Sequence, residues 1–156
     1  MDERKKVYVE TSVISNLTAR PSPRLVEAGR QIATIEWWNR ALSEYELYGS
    51  LVVEREAANG DPDAAARRME KVRLLKTTVF DDRAIRLAEA LLAETAVPRN
   101  SFDDALHIAT AAINGMDFLV TWNCKHIANA ITRPIIRRTC EKLGVVCPEI
   151  CTPDEL

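Results

Sequence analysis

The chain has 156 residues, a size at which one domain buries a core without disulfide staples, so a single domain spanning 1–156 is expected. Hydrophobic residues make up 47% and charged residues 28%, which excludes a disordered tail protein and leaves no stretch apolar enough for a membrane helix. The net charge of -2 offers no bulk attraction to a polyanion, so any nucleic-acid binding must come from a local patch of Lys and Arg. The opening MDERKK lacks the apolar core of a secretory signal, and a cytoplasmic protein is expected. Cys124, Cys140, Cys147 and Cys151 form no CxxC pair and read as ordinary reduced thiols.

In chain order, KVYV at 6–9 alternates as a strand, and Glu10-Thr11-Ser12 supplies groups that cap a following helix. Pro21-Ser22-Pro23 breaks that helix. Leu25 to Tyr45 reads as one or two helices in which Trp37 and Trp38 seek the core. Leu47 to Val53 is a buried strand, or a strand passing into a helix at Ser50. Asn59-Gly60-Asp61-Pro62 stops one helix and starts another that runs to about Leu75. Lys76 to Phe80 is β-prone, and Asp81 or Asp82 opens a helix reaching about Thr95. Pro98 ends that unit, Ser101 starts a helix that Gly115 terminates, and Phe118 to Thr121 forms a third apolar strand. This alternation predicts an α/β domain with a mainly parallel sheet covered by helices on both faces, and ligands beyond the carboxyl ends of its strands.

Glu10 and Asn123 each follow a predicted strand and should reach the same crevice, where their oxygens are hard ligands of the kind Mg²⁺ or Mn²⁺ prefers. In the helix after Ser101, Asp103, His107, Thr110 and Asn114 line up as a polar face, so Asp103 reads as solvated. Asp104 shares its side with Ile108, Ala111 and Ala112 and points toward the core, where an unpaired charge is expensive. A second reading of Asp104 stands beside this: Ser101-x-x-Asp104 approximates a capping box. Glu54 and Glu56 are equally open between a solvated helix face and a site. If these carboxylates converge, protonation or a divalent ion must relieve their repulsion, and the ion could activate water and hold a phosphate. His126 reads as a residue that caps or packs the loop after the last strand, or contacts phosphate.

Four segments, Val7-Tyr8-Val9-Glu10-Thr11-Ser12, Ser50 to Glu56, Asp104-Ala-Leu-His-Ile-Ala109 and Leu119-Val-Thr-Trp-Asn123, resemble the ordered acidic motifs of PIN domains. The resemblance implies a three-layer α/β/α sandwich and Mg²⁺- or Mn²⁺-dependent cleavage of RNA. It also implies a toxin of the VapC type, held by a small antitoxin and often homodimeric. Glu10, Glu56, Asp104 and Asn123 match the catalytic positions in order, with Glu10, Asp104 and Asn123 as metal ligands and with Thr11 and Thr121 as hydroxyls near the ion. Two positions depart from the pattern: Asp is more typical where Glu10 and Asn123 stand, so the site is a methylene longer at one end and one charge poorer at the other. Arg20, Arg24, Lys125, Arg133, Arg137 and Arg138 are candidates for RNA contact. The alternative to a nuclease is a PIN-like module that binds RNA or a protein without cutting. A phosphatase or receiver domain fits less well, since it needs an Asp directly after the first strand.

Overall fold

A computed structural model describes residues 3–156; the first two residues of MDERKK lie outside it. Five strands form one sheet: β1 Lys6–Val9, β2 Glu46–Gly49, β3 Lys76–Thr77, β4 Phe118–Val120 and β5 Glu149–Cys151. Their order is β3-β2-β1-β4-β5 and every pair is parallel. Seven helices flank the sheet: α1 Thr11–Thr18, α2 Leu25–Glu44, α3 Leu51–Ala57, α4 Pro62–Val72, α5 Asp82–Ala93, α6 Phe102–Ile113 and α7 Arg133–Lys142. They pack as two groups, α1 to α4 and α5 to α7, which meet where α3 touches α6. This is the α/β/α sandwich expected of the sequence, with a sheet that is wholly rather than mainly parallel.

Local chemistry explains most boundaries. Ser50 accepts a hydrogen bond from Val53 N–H and so ends β2 and caps α3, which settles the choice between a long strand and a strand–helix passage. Asp61 caps α4 with Pro62 at its first turn, and Gly115, at φ +67°, turns the chain out of α6 toward β4. Residues 25–44 form a single helix, α2, with Trp37 and Trp38 both buried.

The expected strand at 76–80 is only two residues long. Thr78 turns its hydroxyl onto the Gly49 carbonyl, and the Asn114 carboxamide bonds both the N–H and the C=O of Val79, which replaces a neighbouring strand. The fifth strand, β5, and the helix before it, α7, were not expected. β5 completes the far edge, and its Cys151 carbonyl accepts from Thr121 N–H just beyond β4.

The chain leaves β1 toward β2 on one side and later returns to place β4 on the other. The order therefore reverses between β1 and β4, and at such a point the loops at the carboxyl ends splay apart and leave a crevice. Val7, Tyr8, Val9, Leu119 and Val120 lie fully buried beneath it and form its floor.

Candidate metal and nuclease site

Glu10 is the first residue past β1, and its backbone N–H still bonds the Val120 carbonyl, at 3.1 Å. Its side chain folds back as the N-cap of α1. One carboxylate oxygen accepts from Ser12 N–H at 2.7 Å, and the other from the hydroxyls of Ser12 at 2.6 Å and Thr121 at 2.5 Å. Ser12 Oγ in turn accepts from Trp122 N–H and Thr121 Oγ1 from Asn123 N–H, so the exits of β1 and β4 are laced together around one carboxylate. That carboxylate is 5% exposed and has no Lys or Arg partner among the described residues.

Glu56 reaches the same place from α3. Its Oε1 accepts from Thr11 Oγ1 at 2.7 Å and lies 2.5 Å from His107 Nε2. Glu54, the other ambiguous acid, does not join the group. His107 projects from α6 and is buried, with its Nδ1 2.7 Å from the Tyr8 hydroxyl, which also pairs with Ser50 Oγ at 2.7 Å. Ligand atoms of Glu10, Glu56 and His107 all lie within 4.8 Å of one another.

Asp104, one turn before His107, accepts from Asn123 Nδ2 at 3.1 Å and pairs with His126 Nδ1 at 2.8 Å. The Asn123 Oδ1 accepts from His126 N–H, so the three residues close a small ring over the end of β4. Ser101 makes no side-chain cap, and its N–H bonds Pro98, so the capping-box reading of Asp104 fails. The Asp104 side chain is about a fifth exposed and borders a cavity of about 350 Å³ lined also by Asn100, Ser101, Phe102, Asp103 and His126. A larger cavity, about 490 Å³, lies beside Arg83, Arg86 and Gly115, away from every acid named here. Chemistry rather than size singles out the acidic crevice.

The helix face read as polar divides. Asp103, its side chain about half exposed, pairs with Arg55, as expected of a solvated acid. His107 and Thr110 on the same stripe are buried. Sequence reasoning assigns no role to His107, and the one available signal is its helical spacing from Asp104, which places both over the end of the sheet. Of the candidate basic residues, Arg137 pairs with Glu149, Arg133 with the Ile150 carbonyl and Arg24 with Glu27, while Lys125 stands exposed beside Asn123.

Burial pushes the Glu56 carboxyl up, but the His107 hydrogen bond and charge, aided by Thr11, outweigh it and hold the group below its ordinary range. Burial pushes His107 down, and this too is outweighed, by the Glu56 hydrogen bond and by the charges of Glu10, Glu56 and Asp104, so its pKa is raised. The signs of linkage then oppose. The Glu56 contribution to stability is present above its unfolded value of 4.5 and lost as pH falls through the lower folded value. The His107 contribution is full below its unfolded value of 6.5 and lost as pH rises through the higher folded value. In chelator, the stability difference between wild type and Glu56→Gln, from urea unfolding, is therefore expected to peak between pH 4.5 and 6.5 and to narrow on both sides. A difference that keeps growing above neutral pH would show that His107 pairs as a neutral ring.

The PIN-domain family model matches residues 7–126. The chain belongs to the PIN-domain family. The match runs from β1 to the loop after β4 and includes Glu10, Glu56, Asp104 and Asn123, while α7 and β5 lie beyond it. A comparison with curated proteins returns no significant match. PIN domains are in general nucleases that use divalent ions, and the donor set here suits such an ion: clustered carboxylates, one of them buried, with which no Lys or Arg among the described residues forms an ion pair.

Proposed function

We propose that this PIN domain is a divalent-metal-dependent endoribonuclease, with Glu10, Glu56, Asp104 and Asn123 as its catalytic group and Glu10, Asp104 and Asn123 as ligands of Mg²⁺ or Mn²⁺. The observation that carries this reading is the approach of Glu10, Glu56 and His107 at the β1/β4 switch point, where no Lys or Arg among the described residues forms an ion pair with the acids. A bound divalent ion would lower the pKa of water and neutralise charge on the scissile phosphate. The chain's own part is to hold the donors. Ser12 and Thr121 fix the Glu10 carboxylate, Thr11 and His107 fix Glu56, and Asn123 with His126 fixes Asp104. Asn123 Oδ1 keeps one lone pair after accepting from His126.

The biological role we propose is that of a cytoplasmic type II toxin of the VapC kind, inhibited by a small antitoxin laid over the acidic crevice. A homodimer is part of this reading, and the exposed Leu25, Ile32, Ile35 and Leu42 of α2 supply an apolar stripe suited to it.

The test is incubation of a mixed single-stranded RNA pool with purified protein in Mn²⁺, in Mg²⁺ and in chelator. Cuts in either metal that vanish in chelator are expected. RNA left intact in both metals would overturn the nuclease and favour a second reading, a binding module. That reading draws support from the three internal hydrogen bonds that already occupy Glu10 and from the amide at Asn123. Calorimetry with millimolar Mn²⁺ separates the two, since a protein that binds no ion has no means of activating water.

A further inference from the structure

The bonds around His107 form a chain whose direction is fixed at its two ends, by a backbone N–H that only donates and a carboxylate that only accepts. Val53 N–H donates to Ser50 Oγ, Ser50 pairs with the Tyr8 hydroxyl, Tyr8 with His107 Nδ1, and His107 Nε2 with Glu56 Oε1. A carboxylate only accepts, so His107 Nε2 carries a proton and donates it. A nitrogen that carries a proton has no lone pair for an ion, and Nδ1 is engaged by Tyr8. Although His107 lies close enough to act as a third ligand, its hydrogen bonds assign it another task.

We infer that His107 is a positioning residue that makes Glu56 a further ligand beside the three named above: it holds the Glu56 carboxylate in one orientation, with Oε1 turned to the protein and Oε2, which accepts no hydrogen bond among the described residues, turned to the ion. This rests on the metal-nuclease reading above. The chain begins at the cap of α3 and returns to Glu56 near the end of the same helix, passing through β1 and α6. Tyr8, Ser50 and His107 are each no more than 2% exposed, so water cannot substitute for a missing member. Partners that orient a ligand in this way commonly govern metal affinity by 10- to 100-fold.

The experiment has a metal-free and a metal-bound arm. In chelator, nitrogen NMR of histidine-labelled protein reads two rings only, His107 and His126. A slowly exchanging proton on His107 Nε2 is expected, and a lone pair there would overturn the inference whatever the ion does. In the second arm, Mn²⁺ alone is titrated calorimetrically into folded wild type, His107→Leu, His107→Gln and Tyr8→Phe. His107→Leu is expected to bind Mn²⁺ at least tenfold more weakly, and His107→Gln, which keeps an N–H to donate, to recover most of that loss. Tyr8→Phe, which removes one buried oxygen and little volume, is expected to weaken binding severalfold and still reads the chain if His107→Leu does not fold. Wild-type affinity in both His107→Leu and Tyr8→Phe overturns the positioning role while leaving the metal site standing. A wild type that binds no Mn²⁺ overturns instead the reading on which it rests.

Discussion

Asp104→Asn is expected to lower the rate of metal-dependent RNA cleavage by about 10²–10³-fold, the range seen when one preorganised electrostatic group is removed from an active site. In free energy this is roughly 3–4 kcal/mol of transition-state stabilisation. The substitution removes one charge and one acceptor and changes little else. Of the two donors facing Asp104, the carboxamide can still accept from Asn123 Nδ2 or from the His126 ring, and the displaced donor sits beside a cavity open to water. The loss of fold stability should therefore stay near 1 kcal/mol, a shift of about 2–4 °C in melting temperature for a chain of this size. Single-turnover cleavage in Mn²⁺ with a parallel melting curve measures both. Full activity in a folded variant would remove Asp104 from the reaction and leave His107 as the residue that ties α6 to the crevice.

Most of what positions the site is legible in the sequence, because strand ends and caps are local. KVYV followed by Glu10-Thr11-Ser12 names a strand, a turn and a capped helix within seven residues, and Ser50 announces α3 in the same way. The residues that balance the acids are another matter. Helical spacing gathers Asp103, His107, Thr110 and Asn114 on one stripe, and polarity suggests water as their neighbour. Yet His107 faces Tyr8 from β1 and Glu56 from α3, 99 and 51 residues away in sequence. No local pattern encodes that meeting; it follows from the parallel crossovers that bring α3 and α6 to the same sheet end. Asp104 was open between a cap and a site for the same reason, since Asn123 and His126 decide it from a different loop. The β5 strand is not legible in the sequence because three residues after Pro148 carry too short an alternation to distinguish from a loop.

The site's four-residue pattern, three acids and Asn123, departs from the family's at Glu10 as well as at Asn123, and the geometry at Glu10 separates two roles that one side chain performs. As a cap, Glu10 needs only an acceptor for Ser12 N–H. As an anion, it needs its charge, and the added methylene lets it also reach Thr121. Three substitutions should therefore fall in different orders under two measurements. Glu10→Gln keeps a carbonyl oxygen for the N–H, and its amide NH₂ can donate to the Ser12 and Thr121 hydroxyls, which rotate to accept; its stability should lie within about 1 kcal/mol of wild type. Glu10→Asp retains a good cap and the charge but draws the carboxylate back by about 1.5 Å, one bond length, so the buried Thr121 hydroxyl loses its acceptor. Glu10→Ala loses cap and anion together and should cost about 1–3 kcal/mol. Melting temperatures are thus expected to fall in the order Gln, Asp, Ala. Cleavage in Mn²⁺ should instead favour Asp over both others, because only Asp brings a charge to the ion. Two orders that cross would separate the ligand from the cap. Two that coincide would mean that Glu10 acts on cleavage only by holding α1 against the end of the sheet, and would leave the anchoring of an ion to Glu56 and Asp104.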